Sequence, residues 1–336
     1  MRVDREFKWV IGFYVFLALV SAVLLEVLAQ IHPFSREFNT GFLPFLCLLA
    51  PYLFFSTRYA VASFRGQVAF SFWKRLLFPA YLLLTYSIFS LYSSNFQWPL
   101  FIKLSLWLFF PVLVFSKNFE GTEDISFREL IVILSLWLPI EFGQLPGFDI
   151  IFNKDVQIPA LAFAAPALGL YLFCVLRNLP DVGYSFRLNA KDFLAAAAGI
   201  AALALLLVPL GTNLGFIRMA PSQTSPAKAV ELILGIYFLV AIPEELLFRG
   251  IIQNSLLKIL PGPHAKIVSL LAAAAIFGLS HWNNYNPPDW RYVFLATIAG
   301  LVYGTVYFKT GKTTASALVH CGVNFTWAVL FQDTSG

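Results

Sequence analysis

The chain has 336 residues, of which 59% are hydrophobic and only 12% are charged, and its mean hydropathy is +0.75. A soluble domain carries about a quarter charged residues, so this composition excludes an ordinary soluble protein and indicates one that crosses the lipid bilayer several times. The formal net charge of +5 is spread over many loops without a basic block, which argues against nucleic acid as a partner.

Apolar segments of membrane-spanning length recur along almost the whole chain. A membrane helix needs about 20 apolar residues, and these segments lack the alternation of membrane-barrel strands. They predict an all-α fold, a polytopic transmembrane bundle of about eleven helices, within a range of roughly nine to twelve. The predicted spans are 9–30, 41–56, 76–92, 99–116, 129–145, 158–176, 192–210, 228–260, 265–282, 292–308 and 313–331.

Composition changes near residue 190. Phe and Leu dominate the first half, whereas Ala and Gly become frequent afterwards, and small residues let helices approach closely. The sequence therefore predicts an N-terminal transmembrane region, 1–190, and a closely packed core, 191–336. Lys and Arg concentrate in alternate loops, which predicts a cytoplasmic N-terminus, and the short loops favour a prokaryotic plasma membrane.

Two adjacent carboxylates interrupt the long apolar span 228–260. Ionisable residues at membrane depth are energetically costly and mark functional sites. Glu244 and Glu245 follow Pro243, which removes one helix hydrogen bond and predicts a kinked or opened turn at this point. Arg249 lies one turn after Glu245 and can form an ion pair with it on the same face, while Glu244 points about 100° away.

Two later spans carry histidines at matching depth. Phe277 and His281 are one turn apart near the end of one span, and His320 and Asn324 are one turn apart in the last. If the helices run antiparallel, these side chains and Glu244 all lie near the middle of the membrane. The residues alone leave open whether they form a site or join helices by hydrogen bonds.

Glu-Glu-x-x-x-Arg, Phe-x-x-x-His and His-x-x-x-Asn, in this order on three predicted helices, resemble the CPBP family. This family comprises type II CAAX prenyl proteases and bacteriocin-processing proteins, and is also called the ABI family of intramembrane glutamic proteases. The resemblance covers roughly 227–331, and in this family the N-terminal spans vary. It implies an intramembrane endopeptidase with a protease core within 191–336 and a variable region, 1–190.

The resemblance also implies the roles of single residues. Glu244 and His281 would hold and activate a water molecule, and His320 and Asn324 would donate hydrogen bonds to the oxyanion. Glu245, Arg249 and Phe277 would support them. The implied partners are a membrane protein or peptide substrate and the lipid bilayer. Specificity for prenylated substrates is not carried over, because nothing in the sequence indicates lipid recognition, and the oligomeric state stays open.

Three alternatives remain open at this stage. A glutamate with two histidines could bind zinc, although the chain has no HExxH motif and Cys47, Cys174 and Cys321 lack metal-ligand spacing; we expect no cofactor. A non-proteolytic binding, immunity or scaffold protein of the same fold is a second possibility. Membrane transport is a weaker third, since no pair of broken helices recurs in two halves of the chain.

Overall fold

The structure, a computed structural model, describes residues 4–116, 125–154 and 156–334. Helices dominate these residues, as the apolar segments predict, and strands occur in them only as two short pairs. Six described helices are long and apolar enough to cross a membrane: Arg5–Ala29, Arg36–Phe54, Trp98–Ser116, Ala190–Asn213, the segment Ala265–Asn284 and Trp290–Thr310. The predicted total of about eleven spans stays a prediction, because the other apolar helices are shorter, interrupted or less apolar.

The first of two compact units is Met1–Pro180. Strands β1 and β2 pair antiparallel, with Ile150 opposite Ile158. Helices α3 and α4 were not predicted and are too short to cross a bilayer. The elements of the unit are α1 (Arg5–Ala29), α2 (Arg36–Phe54), α3 (Arg58–Val68), α4 (Phe72–Arg75), α5 (Leu77–Tyr92), α6 (Trp98–Ser116), α7 (Phe127–Glu141), β1 (Asp149–Ile151), β2 (Gln157–Pro159) and α8 (Leu161–Leu170), which continues as a π-helical segment, Tyr171–Leu176.

Burial in this unit is uneven. Leu168, Leu170 and Leu172 of the α8 region are completely buried, whereas α1 leaves large apolar side chains such as Phe16 and Leu19 exposed. Exposed apolar side chains on a long helix are unfavourable in water and favourable in lipid, so this surface agrees with a membrane environment.

The second unit is Asp181–Gly336. Its strands β3 and β4 pair antiparallel, with Arg218 opposite Gln332, and so join the end of α9 to the end of α15. Its elements are α9 (Ala190–Asn213), β3 (Ile217–Met219), α10 (Pro226–Gly235), α11 (Ile242–Glu245), α12 (Asn254–Ile259), α13 (Ala265–Leu279), a 3₁₀ turn (Trp282–Asn284), α14 (Trp290–Thr310), α15 (Thr313–Leu330) and β4 (Phe331–Asp333). Two π-helical segments, Ile236–Ala241 and Leu246–Gln253, join α10, α11 and α12 into one helical run, Pro226–Ile259.

Small residues bring α13 and α14 together. A Cβ atom on Gly278 would lie 2.7 Å from the Val293 carbonyl oxygen and would overlap the Thr297 side chain. Only glycine allows so close an approach. The two helices therefore lie side by side, and both carry aromatic residues of the site described below.

Residues 181–189 form the start of the second unit and pack against its helices. The backbone N–H of Thr313 donates to the Gly183 carbonyl at 3.0 Å, and the Tyr307 hydroxyl donates to the Asp181 carbonyl. Lys312 forms an ion pair at 2.6 Å with Asp192, whose carboxylate also caps the start of α9. The boundary between the compact units therefore lies ten residues before the predicted start of the core at residue 191.

Candidate active site

The acidic pair lies between two widened helical turns. Glu244 and Glu245 belong to the four-residue helix α11, which has a π-helical segment on either side. Pro243 cannot donate a backbone hydrogen bond, and π-turns, which loosen the regular ladder, are frequent at functional sites. Pro243 predicts an opened turn at this point, and the structure has widened π-helical turns both before and after the acidic pair.

Glu245 is the centre of a fully buried polar cluster. Its Oε2 atom lies 3.1 Å from Nε of Arg249, one turn later, and neither side chain is exposed. The Ser316 hydroxyl lies 2.6 Å from the same oxygen, and Nδ1 of His320 lies 3.1 Å from Oε1. One cation and two hydrogen-bonding side chains from two helical segments therefore converge on this carboxylate, which links the long helical run to α15.

His320 also faces the second glutamate. Its Nε2 atom lies 3.9 Å from Oε2 of Glu244. The Glu244 side chain is one-third exposed, yet its Oε2 atom is buried and has no hydrogen-bond partner among the residues that the structure describes. A shielded carboxylate oxygen without a partner is unusual, because buried polar atoms are nearly always hydrogen-bonded.

His281 lies in the turn directly after α13, at the end of the predicted span 265–282. Its Nδ1 atom lies 2.8 Å from the Phe277 carbonyl oxygen, to which the Ser280 hydroxyl also donates. A carbonyl accepts only, so Nδ1 carries the hydrogen and Nε2 of the neutral ring keeps its lone pair. This hydrogen bond leaves Nε2 of His281 as an acceptor.

Aromatic rings hold both imidazoles. Tyr303 stacks on His320 with ring centres 4.8 Å apart and an interplanar angle of 14°. Phe277 meets both His320 and His281 edge-on, at 5.8 and 4.7 Å, and the Arg249 guanidinium carbon lies 4.7 Å from the centre of its ring. Phe277 therefore contacts both histidines and lies against the Arg249 cation.

Tyr292 packs edge-on against His281, with ring centres 4.9 Å apart. It sits in the first turn of α14, which begins after Asp289 because that carboxylate accepts from the Arg291 backbone N–H at 2.9 Å. The hydrogen-bonded Arg291 side chain holds the pKa of the Asp289 carboxyl below its usual value. This cap fixes where α14 begins.

Asn324 lies on α15 one turn after His320 and is half-buried. The structure brings Glu244, Glu245, Arg249 and His320 together, whereas among the described residues Asn324 makes no hydrogen bond or ion pair with any of them. No three His, Cys, Asp or Glu side chains in the described parts of the chain are arranged as a metal-ligand group.

Sequence reasoning missed Ser316, Tyr303 and Tyr292. The signal for Ser316 was present, because it lies one turn before His320 and extends the His-x-x-x-Asn spacing backwards on the same face. The two tyrosines had no such signal, because α14 carries no motif and its register against α13 depends on tertiary packing.

The fold and this site define an integral membrane protein whose helices enclose a carboxylate–histidine cluster. Residues 226–326, a little under a third of the chain, match the family model described as "Type II CAAX prenyl endopeptidase Rce1-like". This match confirms the CPBP resemblance that the three motifs indicate, and it supports a protease-like function of the CAAX type. Comparison with curated proteins and with solved structures found no match.

Proposed function

We propose that this protein is an intramembrane endopeptidase that hydrolyses a peptide bond of a membrane protein or peptide. In this mechanism the attacking water lies between the Glu244 carboxylate and Nε2 of His281. Both atoms accept hydrogen bonds, so they orient the two water hydrogens and direct the oxygen lone pair towards the scissile carbonyl. The shielded, unbonded Oε2 of Glu244 supports this position for the water.

Proton transfer follows from that arrangement. As the water oxygen attacks the carbonyl carbon, Glu244 takes one proton, and the carbonyl oxygen becomes an oxyanion. Collapse of the tetrahedral intermediate breaks the carbon–nitrogen bond, and Glu244 returns the proton to the leaving amine. A positioned acid–base group contributes about 10²–10⁴-fold to such a rate.

The oxyanion would accept hydrogen bonds from His320 and Asn324. His320 already directs Nδ1 to Glu245, so donation from Nε2 requires the doubly protonated imidazolium. Preorganised donors of this kind are among the largest contributions to catalysis of acyl transfer.

The observation that carries this proposal is the contact of one imidazole with both glutamates, beside a second histidine fixed as an acceptor. The Rce1-like match of the same segment supports it independently. Zinc-dependent peptide hydrolysis and a purely binding role remain the competing functions. Each makes a different prediction for the experiments below.

The test compares peptide termini in membranes from cells that express the wild type, Glu244→Gln or Glu231→Gln. Glu231 lies in the same helical run, is exposed and pairs only with Lys228, so its substitution is a matched control. We expect a set of new termini with the wild type and the control that is lost with Glu244→Gln. Identical termini at equal expression would overturn the proposal, and unchanged cellular function would then favour a binding, immunity or scaffold role.

A further inference from the structure

Two neighbouring buried side chains carry polar atoms without partners. Arg249 and Gln253 are both completely buried. Among the described residues, none of the three guanidinium nitrogens of Arg249 makes a hydrogen bond of good geometry, and Oε1 of Gln253 accepts none. Buried polar atoms in proteins are nearly always hydrogen-bonded, and an unpaired charged group is especially unfavourable, so a partner is expected here.

The two groups lie against the same stretch of α14. They are four residues apart in the π-helical segment Leu246–Gln253, and the guanidinium carbon of Arg249 is 5.7 Å from the centre of the Tyr303 ring. The Gln253 amide nitrogen donates to the Gly304 carbonyl at 3.2 Å. Gly304 has no side chain, and a Cβ atom there would overlap the Gln253 carbonyl oxygen. The glycine therefore leaves space for the Gln253 amide beside Tyr303.

Charge and hydrogen-bond type identify the missing partner. Arg249 offers donors only, whereas Oε1 of Gln253 is an acceptor only. The charge of Arg249 is already balanced by Glu245 at 3.1 Å, so a further anion is not needed. A water molecule can accept from an Arg249 N–H and donate to Gln253, and buried waters bind where 2–4 polar groups converge.

We infer that an ordered buried water bridges the Arg249 guanidinium and the Gln253 carbonyl oxygen next to Gly304. The bridge gives Arg249 a second point of attachment besides Glu245 and thereby stabilises the carboxylate that contacts His320. Gln253 is on this basis a positioning residue, and the water is distinct from the one that would react at Glu244. The site does not depend on peptide hydrolysis and exists whether or not the proposed function is correct.

Radiolytic hydroxyl labelling of the full-length protein tests the inference, because bound water labels adjacent side chains that bulk solvent does not reach. Tyr303 is compared with Tyr52, an equally buried tyrosine of the first unit. We expect Tyr303 to be labelled several-fold faster, and the rate to fall about threefold in Gln253→Leu. Ser269→Ala, which removes a buried hydroxyl bonded only to its own helix, is the control and leaves the rate unchanged.

Equal labelling rates of Tyr303 and Tyr52 in the wild type would overturn the inference. An unchanged Tyr303 labelling rate in Gln253→Leu would also overturn it, because the labelling of Tyr303 would then come from the reacting water near Glu244. If Gln253→Leu does not fold, a high-resolution experimental structure of the wild type decides. Density within hydrogen-bond distance of both Arg249 and Gln253 supports the water, and a direct bond between the two side chains, or no density, contradicts it.

Discussion

Nδ1 of His320 lies 3.1 Å from Oε1 of Glu245, in a region where neither side chain is accessible to solvent. This contact commits one ring nitrogen of His320 to a structural partner and turns the other towards Glu244. Glu245 is held in turn by Arg249 and Ser316. The orientation of the proposed oxyanion donor therefore depends on residues that do not touch the substrate.

Ser316→Ala removes one of the donors to Glu245. We expect a loss of about 1–3 kcal/mol in the free energy of unfolding, since a buried carboxylate oxygen loses its bond, together with roughly a tenfold fall in kcat because His320 is less well held. Thr326→Val is the matched control, as its hydroxyl bonds only to its own helix at Gly322. A wild-type kcat in Ser316→Ala would show that Ser316 does not position the site.

The Glu245–Arg249 pair is expected to behave as one unit. Glu245→Gln or Arg249→Met alone leaves an uncompensated buried charge, which costs about 3–5 kcal/mol. The double variant restores neutrality and should lose less than the sum of the two. The exposed pair Lys228–Glu231 serves as the control, with a coupling of about 0.2–1 kcal/mol. Additive losses at 245 and 249 would contradict a tightly coupled pair.

His281→Asn tests the proposed water acceptor. Asparagine lacks the ring nitrogen that would face the water, so we expect kcat to fall by about 10²-fold or more with the fold intact. His264→Asn, at the opposite end of α13 and exposed, provides the control. Nitrogen NMR of the wild type should also show the hydrogen on Nδ1, as the bond to the Phe277 carbonyl requires. A hydrogen on Nε2 would exclude this residue as the acceptor.

Metal dependence separates the proposed mechanism from its zinc-dependent alternative. His320 already directs one nitrogen to Glu245, and the described residues contain no three-ligand group. We expect cleavage to continue in excess 1,10-phenanthroline. Inhibition by the chelator that added zinc reverses would favour metal-activated water instead.

Much of the helical architecture could be predicted from local pattern. The six described helices that are long and apolar enough to cross a membrane coincide with predicted segments to within a few residues, because apolar length and Gly or Pro punctuation are local properties. The short helices α3 and α4 and the pairing of β3 with β4 were not predicted. They are brief, and the partner of β3 lies more than a hundred residues away in the chain.

The site was predictable where a motif repeats at helical spacing. Glu245 and Arg249 form the expected ion pair, and His320 is close to both glutamates. The ring stacking of Tyr303 on His320 could not be predicted, because it depends on how α14 packs against α15. His281 lies two residues beyond the end of α13 and close to the predicted end of the span at residue 282, because helix ends can be located from sequence only to within a residue or two.

The central claim is that Glu244 activates water for peptide hydrolysis. The most direct measurement is kcat/KM of purified wild type and Glu244→Gln in proteoliposomes, with a substrate identified from the altered membrane termini. Glutamine keeps the shape of glutamate but cannot accept the proton, so we expect a fall of about 10²–10⁴-fold at unchanged thermal stability, with Glu231→Gln as active as the wild type. Cleavage by Glu244→Gln at the wild-type rate would contradict the role of Glu244.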